Sequence, residues 1–286
     1  MSMYSESKIE WCDRTWNPIT GCLHNCEYCY ARGIAKRFGG YDEHLHNEIT
    51  NAILDLEYKQ PIHDLKRPIL KLSGEAKKGD IMCKESGKKI ISAPYPFFFD
   101  PTFHRYRLDE LRIIKKPQTI FIVSMGDAFG DWVPDEWITE VFKACEATPQ
   151  HRYLFLTKNS PRYNRYYSFY NDRPKNFYFG ASATNYGDMV KIRQTLANSL
   201  NFLSLEPLHG DVDLNKFIYE NPICLEWVIV GAETKYGKVM NPPKRKWIEE
   251  ILNACKRADV PVFLKNSLAG IWDEPLIQEF PWEVSK

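Results

Sequence analysis

No run of about 18 apolar residues occurs in the 286-residue chain, so nothing in it reads as a membrane-spanning helix. The stretch MSMYSESKIEWCDRTW lacks an apolar segment of signal-peptide length as well, and the expectation is a soluble, cytoplasmic protein. Charge of one sign is also missing. With 38 basic and 37 acidic residues the net charge is +1, which argues against a global field for nucleic acid, membrane or an acidic partner and leaves only local patches. Sequence repeats and low-complexity tracts are absent, which excludes a solenoid. Size sets no limit, because 44% hydrophobic and 14% aromatic content can bury a large core without a metal staple.

What is present begins with cysteine. In a reducing compartment the eight cysteines are not expected to form disulfides, and a tight cluster of them reads as a metal or redox site. Five are dispersed: Cys12, Cys83, Cys145, Cys224 and Cys255. Of these, Cys145 and Cys255 sit inside helical patterns and read as buried packing. The other three, Cys22, Cys26 and Cys29, fall at C-x3-C-x2-C spacing in GCLHNCEYCYARG.

Short β-branched or aromatic runs recur as TIFIVSMGDAFG, YLFLTKN, FYFGASAT, FLSLEPL, WVIVGAET and PVFLKNS, each reading as a buried strand. Helix-like stretches lie between several of them: PDEWITEVFKACEAT, YGDMVKIRQTLANS and PPKRKWIEEILNACKRA. Alternation of this kind implies βαβ units and a parallel sheet. Adding TWNPIT (15–20) and YPFFFD (95–100) brings the count to eight, the number that closes a (β/α)8 TIM-like barrel, complete or partial. The expected organisation is one domain over 1–286, with a basic insertion at about 50–93 between the first helix and the second strand.

The strands end in polar groups: Asp127, Lys158, Ser182 and Thr184, Glu206, Glu233 and Lys265. In a parallel barrel the carboxyl ends of the strands form the active-site face, so these side chains are expected to converge on one mouth, with Asp127, Lys158, Glu206, Glu233 and Lys265 as catalytic candidates. The cysteines follow the first strand and belong to the same end. A closed zinc site takes four protein ligands, and His24 or Cys83 could complete the set. A four-iron four-sulfur cluster on three thiolates instead leaves one iron open to bind something else.

The segment CLHNCEYC resembles the C-x3-C-x-aromatic-C signature of the radical S-adenosylmethionine superfamily, placed after the first strand as that superfamily places it. The order EWCDRTWNPITGC, CEYCYA, SMGDAF, LFLTKN, SLEPL, VIVGAET and PVFLKN resembles, over nearly the whole chain, a phage- and mobile-element-associated family of radical-SAM-like proteins. The resemblance implies Cys22, Cys26 and Cys29 as ligands of a 4Fe-4S cluster, Tyr28 against the adenine of S-adenosyl-L-methionine, and an electron donor of flavodoxin or ferredoxin type. It implies one-electron cleavage of the sulfonium to a 5′-deoxyadenosyl radical. Ser182 is a further candidate cofactor contact. A Gly-Gly-Glu-like turn of the superfamily has its nearest match in Ser73, Gly74 and Glu75 of ILKLSGE.

Two local features are open to a nucleic-acid or nucleotide substrate, against the plainer reading of a solvated insertion and an outer barrel helix whose aromatics pack on the sheet. Lys66, Arg67, Lys71, Lys77, Lys78, Lys84, Lys88 and Lys89 stand against Glu75, Asp80 and Glu85 in the insertion. In SPRYNRYYSFYNDRPKNFYF, Arg162, Arg165, Arg173 and Lys175 interleave with Tyr163, Tyr166, Tyr167, Phe169 and Tyr170. The competing function is a non-catalytic zinc or iron–sulfur module of a mobile element. Ionisable residues gathered at a mouth favour the enzyme.

Overall fold

The computed structural model describes residues 5–50, 62–84, 86–166, 173–195, 199–220 and 225–283. Seven strands form one parallel sheet in chain order: β1 (Arg14–Trp16), β2 (Thr119–Ile122), β3 (Arg152–Thr157), β4 (Phe177–Ser182), β5 (Phe202–Leu205), β6 (Trp227–Val230) and β7 (Val262–Leu264). A two-residue strand, Ser5–Glu6, adds antiparallel outside β1. The sheet curls into a half-barrel, and helices including Asp135–Glu146 and Arg245–Ala258 cover its outer face. No helix among the described residues is long and apolar enough to cross a membrane.

The strands are apolar on both faces because both are covered, and the period of two sorts their side chains. Tyr153, Phe155, Phe177, Phe179, Leu203, Leu205, Val228 and Val230 point out, where they pack with Trp137, Val141 and Phe142 of the helix Asp135–Glu146 and with Ile248 and Ile251 of Arg245–Ala258. Phe121, Leu154, Phe202, Trp227, Ile229 and Phe263 form a separate inner cluster with Trp11, Phe280 and Trp282. The inner aromatics need room, and Gly180 supplies it: a Cβ there would overlap the ring of Phe202. Overpacking at such a site has no flexible side chain to absorb it. Gly180→Ala is therefore expected to cost about 3 kcal/mol. That would lower Tm by roughly 8 °C in a thermal melt. An unchanged Tm would show that the Phe202 ring swings aside freely.

Several expectations need correction. Of the eight strands anticipated, seven join the parallel sheet. The segment 95–100 is a run of turns, because Pro94, Pro96 and Pro101 remove amide donors that a central strand requires. Within it, Phe98 takes a left-handed backbone with φ of 55°. TWNPIT is split by Pro18: β1 ends at Trp16, and Ile19–Thr20 instead pairs with Thr102–His104 in a small sheet that also holds His63–Leu65. The insertion thus extends well beyond 50–93, reaching from the end of the helix Tyr30–Phe38 to β2, with residues 51–61 and 85 outside the described set. The helix expected over 186–199 spans Tyr186–Ile192, and residues 196–198 are not described.

Candidate functional site

The parity that sends aromatic side chains down into the half-barrel also sends polar ones to its mouth. Counting by twos from the inner cluster, Leu154 and Leu156 lead to Lys158, Gly180 to Ser182, Phe202 and Ser204 to Glu206, Ile229 and Gly231 to Glu233, and Phe263 to Lys265. These residues line one cavity of ≈ 310 Å³ together with Asp127, Tyr28, Cys22, Cys26 and Cys29. Ten of the residues proposed from the sequence are brought together, whereas Thr184, expected at the same mouth, does not line the cavity: it is buried and its hydroxyl donates to Asp188 Oδ2 at 2.7 Å. The cavity floor is the inner cluster, through Trp11, Phe121 and Leu156.

Two glycines set the cysteine loop against the sheet. Gly21 has φ of +86°, donates its N–H to the Met125 carbonyl at 2.9 Å, and a Cβ on it would stand 2.6 Å from the Phe99 carbonyl oxygen. Across from it, a Cβ on Gly126 would stand 2.7 Å from the Gly21 carbonyl oxygen. Only hydrogens allow so close an approach. The next residue, Cys22, donates its N–H to Phe99 O at 3.1 Å, so the turn misread as a strand is the shelf beneath the first cysteine. Cys29 caps the helix Tyr30–Phe38, its sulfur accepting from Arg32 N at 3.4 Å. The Arg32 guanidinium reaches back to Cys22 O at 3.4 Å and lies over the Phe99 ring. All three cysteines are half-buried. Burial, then the Asp127 carboxylate, pushes the Cys22 thiol up to about 12.

Asp127 is almost completely enclosed and has its acceptors occupied. It faces His24 Nε2 at 2.8 Å and accepts from Thr157 Oγ1 at 2.8 Å, Phe129 N at 2.9 Å and Lys158 N at 3.1 Å. Burial acts to raise its carboxyl, but the His24 hydrogen bond and charge, the Lys158 amide and the Thr157 hydroxyl together hold it below the ordinary aspartate value. Asp127 therefore ties the cysteine loop to β3. His24, the candidate fourth ligand, spends its Nε2 on this carboxylate.

Glu206 and Lys265 face each other across the mouth at 2.7 Å. Burial lowers the Lys265 pKa, yet the charge and hydrogen bond of Glu206 outweigh it, and the ammonium is held above its ordinary value. The other carboxylate oxygen of Glu206, Oε1, is buried and has no hydrogen-bond partner among the described residues. Gly231 keeps the space between them clear, since a Cβ there would lie 3.0 Å from Lys265 Cδ and 3.1 Å from Glu206 Cγ. Lys158 Nζ donates to Ser182 Oγ at 3.3 Å and sits 5.4 Å from the centre of the Tyr28 ring. Glu233 at the rim accepts from Asn241 Nδ2 at 2.7 Å and lies 2.9 Å from His209 Nε2, whose ring meets the Tyr28 ring edge-on.

Other sequence candidates lie elsewhere. Glu75 is exposed on the hairpin strand Leu70–Glu75 and does not line the cavity. Cys145 and Cys255 are buried in the outer core, Cys83 is buried in the insertion, and Cys224 lies outside the described residues. In the basic stretch Lys71 binds the carbonyls of Phe38 and Gly39, and Lys89 binds Asp80, leaving Lys66, Arg67, Lys77, Lys78, Lys84 and Lys88 exposed. In the second basic and aromatic patch Arg162 and Tyr163 are structural, while Arg165 and Lys175 are exposed. Arg162 is buried against the carbonyls of Gly130 and Val133 and the Asp135 carboxylate, and Tyr163 is a core residue donating to Gly180 O at 2.9 Å. Tyr163 and Tyr166 pack against the outer core; Tyr167, Phe169 and Tyr170 fall outside the described residues. His209, Asn241 and the shelf residue Phe99 escaped sequence reading, for they lie off the strand-end parity. His24 was visible, inside the cysteine loop, but its bond to Asp127 was not.

A family model described as a protein of unknown function (DUF5131) matches residues 6–277. No curated protein and no solved structure matches the chain.

Proposed function

We propose that this chain, which belongs to the DUF5131 family, is a radical S-adenosylmethionine enzyme that modifies a substrate bound over the half-barrel mouth. The observation that carries the reading is the convergence of a C-x3-C-x2-C loop and the strand-end polar residues on one cavity of ≈ 310 Å³.

The donor set fits a four-iron four-sulfur cluster. Cys22, Cys26 and Cys29 offer three soft sulfurs, and the raised Cys22 thiol asks for a strongly cationic partner before it gives up its proton. Among the described residues no three His, Cys, Asp or Glu are arranged around a single ion, an arrangement that a cluster, with one thiolate on each of three irons, does not require. The unpartnered Glu206 Oε1 fits the ammonium of S-adenosylmethionine, because a buried carboxylate oxygen without a donor is costly until a ligand supplies one. The Lys158 ammonium is suited to the ligand carboxylate, and Tyr28 to the adenine. When bound, cluster and S-adenosylmethionine supply a one-electron bond cleavage and a hydrogen-abstracting radical. The protein's own part is to hold and to shield. Asp127 fixes His24 and with it the cysteine loop, Lys265 holds Glu206 in place, and Trp11, Phe121 and Leu156 close the floor against water. An electron donor of flavodoxin or ferredoxin type completes the system.

The test is anaerobic purification followed by a 5′-deoxyadenosine assay with reductant. A brown protein that bleaches on reduction and releases 5′-deoxyadenosine is expected. A colourless protein with stoichiometric zinc and no release would overturn the reading in favour of the non-catalytic module.

A further inference from the structure

Immediately after Glu233 the chain makes a small hairpin, Thr234–Lys235 paired antiparallel with Lys238–Val239. It is anchored at the mouth: Thr234 lines the cavity, Met240 N donates to Glu233 O at 3.0 Å, and Asn241 holds the Glu233 carboxylate. Its two-residue turn has Tyr236 at φ 52° and Gly237 at φ 76°, the left-handed pair of a type I′ turn. Such a turn favours asparagine, aspartate or glycine at its first position, and a tyrosine there is out of place. Packing does not explain it either, because Tyr236 is 94% exposed. Turn chemistry and core formation both fail to account for a large ring held at the tip.

Between Glu233 at the hairpin base and Glu249 the charge is of one sign. From 234 to 248 there are five cations, Lys235, Lys238, Lys244, Arg245 and Lys246, and no acid. Arg245 is taken by Glu249, Asp273 and Glu274, Lys246 lies 3.6 Å from Glu250, and Lys244 sits over the Trp247 ring, which leaves Lys235 and Lys238 on the hairpin strands, both exposed.

We propose that this hairpin binds a polynucleotide with unpaired bases, Tyr236 stacking on a base while Lys235 and Lys238 hold the flanking phosphates, so that the neighbouring nucleotide is presented to the mouth. The Lys235 ammonium lies 5.8 Å from the centre of the Tyr236 ring, beside which an exposed ring face suits any base, and paired lysines suit a phosphate backbone. The inference rests on the proposed enzyme only for what happens to the nucleotide; binding itself needs no cluster.

Fluorescence anisotropy on the full chain tests it, with short single-stranded DNA and RNA of one sequence as the two probes. Tyr236→Asn suits the turn, so its Tm is expected to stay level or rise, while Kd weakens about tenfold. Tyr236→Trp is expected to keep the affinity. The double change Lys235→Gln, Lys238→Gln is expected to reduce the slope of log Kd against log salt by about 1.4. Binding of either probe with this dependence supports the proposal, and the tighter probe names the source. No binding by the wild-type chain at low salt, or equal affinity in Tyr236→Asn, overturns it and leaves the hairpin to a protein partner. Anisotropy on iron-free protein separates this outcome from the 5′-deoxyadenosine assay, since either can fail while the other succeeds.

Discussion

Cys26→Ala is expected to abolish iron incorporation and 5′-deoxyadenosine release while leaving the fold in place. The side chain lies half-buried in a loop over the mouth and belongs to none of the hydrophobic clusters, so its truncation removes the proposed ligand and almost no packing. A substitution of that kind costs roughly 0.5 kcal/mol or less. In a domain of this size the melting point would then move by no more than about 2 °C. Iron analysis after anaerobic reconstitution, alongside a thermal melt, checks both halves. Cys145→Ala is the contrast: that thiol is completely buried in the outer core, so stability falls by about 1 kcal/mol while iron stays at the wild-type ratio. Wild-type iron in Cys26→Ala would sink the ligand assignment. Iron lost from a Cys12 or Cys83 variant would do the same to the three-thiolate site, for neither residue lines the cavity.

Glu206→Gln carries the second large effect. Glutamine keeps the shape of the side chain but removes the charge that faces Lys265 Nζ at 2.7 Å and the acceptor left open at Oε1. A hydrogen bond to a charged group is worth about 2–3 kcal/mol when the alternative is a buried unpaired ion. The ratio kcat/KM for S-adenosylmethionine cleavage is therefore expected to fall about 100-fold, with iron content unchanged. Normal turnover with a normal KM would return Glu206 to an ordinary loop charge. Lys265→Met tests the other partner. It strands the Glu206 carboxylate, and because both side chains retain about a fifth of their exposure, solvent limits the expected loss to about 1 kcal/mol. The pH dependence has a definite sign. The folded Lys265 pKa is raised, so the pair's contribution is complete below the unfolded lysine value of about 10.4 and fades only as pH rises through the folded one. A stability profile between neutrality and pH of about 9 should be blind to this pair.

The strand ends were legible because a period of two needs no tertiary information. Once Phe202 is an inner residue, Ser204 and Glu206 are inner too, and the same counting places Lys158, Ser182, Glu233 and Lys265. The cysteine spacing is equally local. The segment 95–100 was misread because three consecutive phenylalanines outweighed the prolines around them, and hydrophobicity alone cannot distinguish a strand from a shelf that packs beneath a loop. The interleaved arginines and tyrosines of 160–166 left two readings open for a related reason: stacking on bases and filling a core use the same rings, and only burial, as of Arg162 and Tyr163, separates the two.

By itself the sequence determined the parallel α/β architecture, the triplet of thiols and the set of polar residues at one end of the strands, all of which follow from the order of residues along single elements. The tertiary structure decided that seven strands join the sheet and that Asp127 is consumed in holding His24. It also decided that Glu206 keeps one oxygen unpartnered and that Tyr236 stands clear at the rim. The reason is that a hydrogen bond across a hundred residues, or its absence, is a fact about distance in space, and the chain encodes that distance only through the packing of everything between.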